Sequence, residues 1–214
     1  ITRDEDDIYM LYTGGTTGMP KGVMYQMGSL VEGFVNGGLA FIGMTPPAEI
    51  SQLGTTVRDA HASGIRPITI PGCPIMHGTG MWIGAMMPQS GGAHVITLQK
   101  RSFDAHEMFQ VVQEKKATLA VVVGDSFVKP MIRALDEATA KGTPYDASSL
   151  KMIASSGVMW TSEVKEALLD RIEHVVLLDA MGSSEGSMGT SISMKGLPPK
   201  TAKFAVAPTT KVFT

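Results

Sequence analysis

Two hundred and fourteen residues, 43% of them hydrophobic and 18% charged, make an ordinary globular mixture that excludes a disordered chain and suffices for one large domain or two lobes. The formal net charge of −2 gives no electrostatic ground for a nucleic-acid partner, and Cys73 as the single cysteine excludes an intrachain disulfide and a paired-cysteine zinc site. No run approaches the ~18 apolar residues of a membrane helix, and the acidic start from Ile1 to Asp7 is the opposite of a signal peptide, so a soluble, reduced, cytoplasmic protein without integral membrane contact is expected.

The first apolar run, Ile8 to Tyr12, reads as a buried strand, and Lys211 to Thr214 reads as a strand still running at the last residue. Both ends predict a segment cut from a longer protein. Further strand-like runs are Pro67 to Ile70, Ala93 to Leu98, Leu119 to Val123, Lys151 to Ala154 and Val175 to Leu178, several of them continuously apolar, as strands covered on both faces should be. Helical patterns fit between them: Phe103 to Lys116 capped by Ser102, Asp125 to Lys141 stopped by Gly142 with Pro130 tolerated near its start, and a segment capped by Thr161 and reaching Ile172. Strands alternating with helices predict an α/β fold, a mainly parallel β-sheet with helices on both faces. Ligands of such sheets sit beyond the carboxyl ends of the strands, so chemistry is sought in the loops that follow them.

Directly after the first strand comes Tyr12-Thr13-Gly14-Gly15-Thr16-Thr17-Gly18-Met19-Pro20-Lys21-Gly22-Val23. Glycines expose backbone N–H groups and allow unusual φ values, Thr13, Thr16 and Thr17 add hydroxyls, and Lys21 adds a mobile cation, which is the composition of a polyphosphate cradle. It is not a Walker A loop, because Lys21 is followed by Gly22. So glycine-rich a loop is expected to be mobile until a ligand orders it. After the last apolar run comes Asp179-Ala180-Met181-Gly182-Ser183-Ser184-Glu185-Gly186, whose carboxylates and hydroxyls suit a hard cation such as Mg2+ bridging phosphates. A third segment, Pro74-Ile75-Met76-His77-Gly78-Thr79-Gly80, places one histidine between a strand and a helix. A lone histidine at a helix start is more often a structural hydrogen-bonding residue than a catalytic one.

The first of these strings resembles the phosphate-binding signature of the adenylate-forming superfamily, which includes acyl-CoA synthetases, peptide-synthetase adenylation domains and firefly luciferase. It departs from the pattern [YF]-T-S-G-[ST]-T-G-x-P-K-G-V at Gly14, where serine is commonest. The second string resembles [YFM]-G-x-[TS]-E, in which the glutamate holds Mg2+ and the hydroxyl residue meets the α-phosphate; this implies Glu185 as metal ligand, helped by Thr13, and Ser184 as phosphate contact. Met181 stands where an aromatic residue usually lies against adenine, and a thioether can supply that contact. Ser155-Ser156-Gly157-Val158-Met159-Trp160 is similar to the S-G-G-A-x-[LM] segment between adenine and acyl groove, with Trp160 either shaping the acyl channel or sitting in the core. His77 matches [PL]-[LM]-[FM]-H-x-x-G, whose histidine lies near the acyl carboxylate.

The resemblance therefore implies nucleotide contacts from Thr13, Gly14, Gly15, Thr16, Thr17, Gly18, Lys21, Ser156, Gly157, Asp179, Met181, Gly182, Ser183 and Ser184, with Lys21, His77 and Glu185 as catalytic residues. It implies ATP and Mg2+ as cofactors, coenzyme A as co-substrate, and a fatty acid joined first to AMP and then to the thiol of coenzyme A. Amino-acid-activating members commonly carry an aspartate in place of the histidine, so His77 points to a simple carboxylic acid. Val123-Gly124-Asp125-Ser126-Phe127 and Thr201-Ala202-Lys203-Phe204 look closest to actinobacterial fatty-acid CoA ligases.

No [YF]-x-T-G-D segment, hinge or C-terminal catalytic-lysine domain is found, so residues 1–214 are expected to be the central part of an AMP-binding N-terminal domain, with about 200–214 leading into a further β subdomain and with impaired activity alone. Two other readings remain: a non-catalytic nucleotide- or acyl-binding module, and a peptide-synthetase adenylation domain. Of sixteen methionines, Met76, Met81, Met86, Met87, Met159 and Met181 fall beside the motifs, where they suit either an adaptable pocket or plain core.

Overall fold

A computed structural model describes residues 2, 4–14, 18–197, 199–206 and 210–211. The first strand, β1 (Ile8–Gly14), pairs antiparallel with β2 (Pro20–Gln26) in a two-stranded sheet of its own. The expected burial of β1 is corrected. Its side chains alternate, with Ile8, Met10 and Tyr12 exposed and the intervening residues half-buried, because a two-stranded ribbon has only one face against the protein. That face carries Tyr9 and Tyr25, both against Trp82. Gly15, Thr16 and Thr17, and with them the expected mobility of the loop, lie outside the described residues, as do residues 212–214 of the expected last strand.

The chain passes without a break into α1 (Met27–Phe41) and then α2 (Leu53–Ala62). The sequence reading anticipated neither. α1 is hidden by its glycines, which lower helix propensity but are required by packing. A Cβ on Gly38 would stand 2.6 Å from the Met87 carbonyl oxygen, so only glycine lets this helix lie against its neighbour. β3 (Ile68–Pro71) leads through the His77 loop into a π-helix, Thr79–Met86, which continues as α3 (Met87–Ser90).

The remaining elements are β4 (His94–Val95), α4 (Ala105–Lys115), β5 (Leu119–Val122), α5 (Gly124–Ala140), β6 (Met152–Ser156), α6 (Ser162–Leu169), β7 (Val176–Ser183), β8 (Gly186–Ser193) and β9 (Ala205–Val206). They form a seven-stranded sheet of order β4-β3-β5-β6-β7-β8-β9, parallel as far as β7 and antiparallel beyond it. The expected strand at 93–98 shrinks to two residues, as befits an edge with one partner.

The unbroken Leu-Ala-Val-Val of β5 serves two cores at once. Ala120 and Val122 face the cluster formed with α4, α5 and α6, while Leu119 and Val121 face Cys73, Phe41 and Ile83 on the other side. Phe109, Met131 and Leu168, all fully buried, each contribute about 1.5–3 kcal/mol to the first core.

Helix boundaries differ from expectation by what each cap can reach. Asp104, not Ser102, starts α4: its Oδ1 accepts from the Glu107 N–H at 2.9 Å. Thr161 does precede α6, but its hydroxyl bonds Asp125 instead of its own helix, and α6 ends at Leu169, short of Ile172. Pro130 lies inside α5, which continues past it to Ala140. No helix among the described residues is long and apolar enough to cross a membrane.

Candidate functional site

In this strand order the connection after β3 turns toward β4 and the connection after β5 turns toward β6, so a crevice opens between the carboxyl ends of β3 and β5. The His77 loop enters there. Its backbone is clamped, since the His77 N–H donates to the Pro74 carbonyl at 3.2 Å and the Met81 N–H to the His77 carbonyl at 2.8 Å. The ring itself is exposed and makes no side-chain hydrogen bond among the described residues. Gly80 permits the tight passage, because a Cβ there would lie 2.3 Å from the Pro74 oxygen.

Beside the crevice is a cavity of about 250 Å3, lined by the loop after β6, by β7 and by the segment holding Ala202 and Phe204. The predicted residues Gly157, Asp179, Met181 and Gly182 all line it. Gly157 has φ +94°, a left-handed conformation that turns the chain across the strand end. Ser156, 9% exposed, is the last residue of β6 and not a loop residue as expected. Trp160 is fully buried within the core cluster and also lines the cavity. Of the methionines beside the motifs only Met159 and Met181 line this cavity, so no single methionine pocket forms there.

Asp179 is corrected from a loop residue to a buried strand residue. β7 runs on through the motif to Ser183, and Ser183 pairs with Gly186, leaving Ser184 and Glu185 as a two-residue hairpin turn. Alternation along a strand turns Asp179 inward, where its Oδ2 meets the Lys165 ammonium at 2.9 Å. Met181, Gly182 and Ser183 lie beyond the sheet's parallel part and are exposed. Glu185 is also exposed; a hydrogen bond from the Ser183 hydroxyl, then its own backbone N–H, holds its carboxyl below the usual range.

The two hairpins meet. The Tyr25 hydroxyl donates to the Ser184 carbonyl, and Tyr25 is edge-on to Trp82 of the π-helix with ring centroids 5.5 Å apart. Burial, followed by the nearby Glu185 charge, pushes the Tyr25 hydroxyl up in pKa. Thr13 and Lys21 are direct partners across the first hairpin and so share a face, the same face that carries Tyr9 and Tyr25. Lys21 stands four residues along β2 from Tyr25, ~13 Å at the usual rise. Lys21 and Glu185 make no ion pair among the described residues. Thr13 and Glu185 are likewise not brought into hydrogen-bond contact. Gly14 and Gly18 flank the undescribed tip, Gly18 at φ +84°. Tyr25, Trp82 and Lys165 were missed by sequence reasoning, since nothing local marks a tyrosine or lysine that acts through a distant strand.

Among the described residues no three His, Cys, Asp or Glu side chains cluster, so an all-protein metal cage is not present there. Mg2+, however, commonly takes one or two carboxylates and completes its shell with phosphates and waters. An exposed, readily ionised Glu185 beside the Ser183 hydroxyl fits that donor set.

A mostly parallel sheet covered on both faces, with the Gly/Thr hairpin touching the turn that carries Glu185, defines the class as an α/β protein. More particularly, the chain belongs to the AMP-binding enzyme family, whose model matches residues 1–211. It is 35% identical over 196 residues to the 3-oxocholest-4-en-26-oate–CoA ligase of Rhodococcus rhodochrous, covering 91% of this chain and 34% of that protein. Against the medium/long-chain-fatty-acid–CoA/3-oxocholest-4-en-26-oate–CoA ligase of Mycolicibacterium smegmatis it is 35% identical over 195 residues, with the same coverage of 91% and 34%. The likeness to actinobacterial CoA ligases is thus borne out, and the chain spans about a third of the length of these relatives. The luciferase-like enzyme from the nonluminescent mealworm Zophobas morio shares the fold, with TM-score 0.64 and 19% identity over 89% of this chain and 38% of that one.

Proposed function

We propose that the chain is the nucleotide-binding central part of an AMP-forming acid–CoA ligase that activates a fatty acid. The observation that carries this reading is the contact between the two hairpins, Tyr25 to Ser184. That contact joins the hairpin carrying Thr13 and Lys21 to the turn carrying Glu185, and it supports a reading in which both serve one polyphosphate, which needs cations and donors.

Lys21 would hold the leaving phosphates and Ser184 the α-phosphate, with Ser156, Gly157, Met181 and Gly182 around the base. Glu185 would hold Mg2+, assisted by Thr13, and the bound ion would neutralise phosphate charge. The acid's own carboxylate is the nucleophile, so this chain's residues serve to position, desolvate and neutralise. Exposed His77 at the crevice is available to the acid's carboxylate, and no acidic side chain of its loop is present to pair an α-ammonium group. A single buried thiol accords with a reducing, cytoplasmic setting.

The test is ATP–pyrophosphate exchange by the whole ligase, run with fatty acids and separately with amino acids. Exchange with fatty acids alone is expected. Exchange with amino acids would make it a peptide-synthetase type, and nucleotide binding without exchange would make it a binding module.

A further inference from the structure

Beyond Val122 and Ser155, the last registered pair between β5 and β6, the two strand ends remain joined by bonds that belong to neither ladder. The Gly124 N–H donates to Ser155 Oγ at 2.8 Å, and the Asp125 N–H donates to the Met159 carbonyl at 3.3 Å. The Asp125 carboxylate then takes two bonds from Thr161. Its Oδ1 accepts the Thr161 N–H at 2.9 Å, and its Oδ2 accepts the Thr161 hydroxyl at 3.0 Å. One residue in the first turn of α5 thus holds the 157–161 loop at both Met159 and Thr161. With its side chain 18% exposed, little water competes for these bonds, and Lys129, itself exposed, stands 3.4 Å from Oδ2.

A carboxylate in the first turn of a helix serves stability by itself. Here, however, a second helix goes without its cap. Thr161 immediately precedes α6, yet its hydroxyl makes no bond to that helix and turns to Asp125 instead. What the arrangement secures is the placement of the loop. On one side Gly157, Val158 and Met159 line the cavity beside β7. On the other, a Cβ on Gly157 would lie 3.8 Å from Oγ1 of Thr79, two residues beyond His77. The loop therefore touches both the cavity and the His77 segment.

We infer that Asp125 is a positioning residue for adenylate formation, holding the 157–161 loop as a fixed partition between an acid at the His77 crevice and a nucleotide in the cavity. The inference rests on the acid–CoA ligase reading above and adds to it a residue that touches neither substrate. In that reaction a carboxylate oxygen bonds to the α-phosphorus as the bond to pyrophosphate breaks, and pyrophosphate leaves with the electron pair. The attack must be in line, and a displacement of about 1 Å can cost about 100-fold in rate. A loop that bounds both sites sets the separation of the two reactants. Released from Asp125, it leaves each substrate bound by the other elements around it, but no longer aligned.

The experiment follows adenylate formation by the whole ligase in a single turnover at saturating Mg-ATP and fatty acid. A rate constant measured in this way does not depend on how much of the enzyme is folded, so lost stability alone leaves it unchanged. Asp125→Ala should lower it about tenfold or more, with half-saturating concentrations of both substrates within about threefold of the original. Thr161→Val, which keeps the backbone bond and nearly the same volume, should lower it about fivefold. Asp125→Asn and Thr161→Ser, which retain the acceptor and the hydroxyl, should each stay within about twofold. Because Thr161 acts through Asp125, the double variant Asp125→Ala with Thr161→Val should be no slower than Asp125→Ala alone. Where Asp125→Ala does not fold, Thr161→Val against Thr161→Ser carries the same comparison. An unchanged rate constant, or raised half-saturation with the rate constant kept, overturns the inference and leaves the ligase reading intact. An original enzyme that forms adenylate from no acid overturns both.

Discussion

The hydroxyl of Tyr25, on the second strand of the Gly/Thr hairpin, donates to the carbonyl of Ser184 in the turn that also presents Glu185. The Gly/Thr hairpin and the Ser-Ser-Glu turn, far apart in sequence, are thereby joined. Tyr25→Phe keeps the ring against Trp82 and removes only the tie. We expect about 1 kcal/mol less stability by urea denaturation, and a severalfold rise in KM for Mg-ATP in the whole ligase. An unchanged KM would mean that the hairpins need no such tie.

Replacing Glu185 by alanine should remove Mg2+-dependent adenylate formation by a factor of at least about 100. The side chain is exposed and supports no packing, so stability should stay within about 0.5 kcal/mol of the original. Adenylation at the original rate with full Mg2+ dependence would remove Glu185 from the site.

Lys21 should behave differently. It is an exposed side chain on the inward-facing side of the hairpin, a mobile charge suited to departing phosphates. Lys21→Ala is expected to slow single-turnover adenylation at least tenfold and to leave fatty-acid affinity within about twofold. Loss of acid binding with the rate preserved would contradict that role.

Gly124 opens α5 at φ +52°, and a Cβ there would stand 2.5 Å from the Met159 carbonyl oxygen. Gly124→Ala must therefore strain the backbone and push on the loop that lines the cavity. Destabilisation of about 2–4 kcal/mol is expected from the two effects together, read as a lower urea midpoint. A midpoint equal to that of the original chain would show that the loop yields freely.

Burial pushes the Cys73 thiol from its ordinary 9.0 up to about 11. Between those values the unfolded thiol loses its proton while the folded one keeps it, so stability is full below about pH 9 and declines toward pH 11. Tyr25 and Tyr145 are also raised and push the same way, so the measurement is the difference between the original chain and Cys73→Ala in urea midpoint at pH 8, 9.5 and 11. A difference that does not change with pH would place the thiol in contact with water.

The parallel strands could be read directly from the residues because they are buried on both faces. Leu119 to Val122 must be apolar throughout to serve two cores, and a run of that kind announces itself without any knowledge of its neighbours. The Gly/Thr loop, the Ser-Ser-Glu turn and His77 stood out as candidates in the same way, since each is a grouping of residue types close together in sequence. Fine boundaries were not. Whether Asp104 or Ser102 capped α4 depended on which carboxylate or hydroxyl could reach the Glu107 N–H, and α1 was concealed by glycines that only its packing against Met87 requires. The side of the sheet that Asp179 faces, the lysine that meets it there and the tyrosine that joins two hairpins were decided in three dimensions alone. A side chain's partner across strands is fixed by register and crossover, and neither leaves a mark on the residues next to it in the chain.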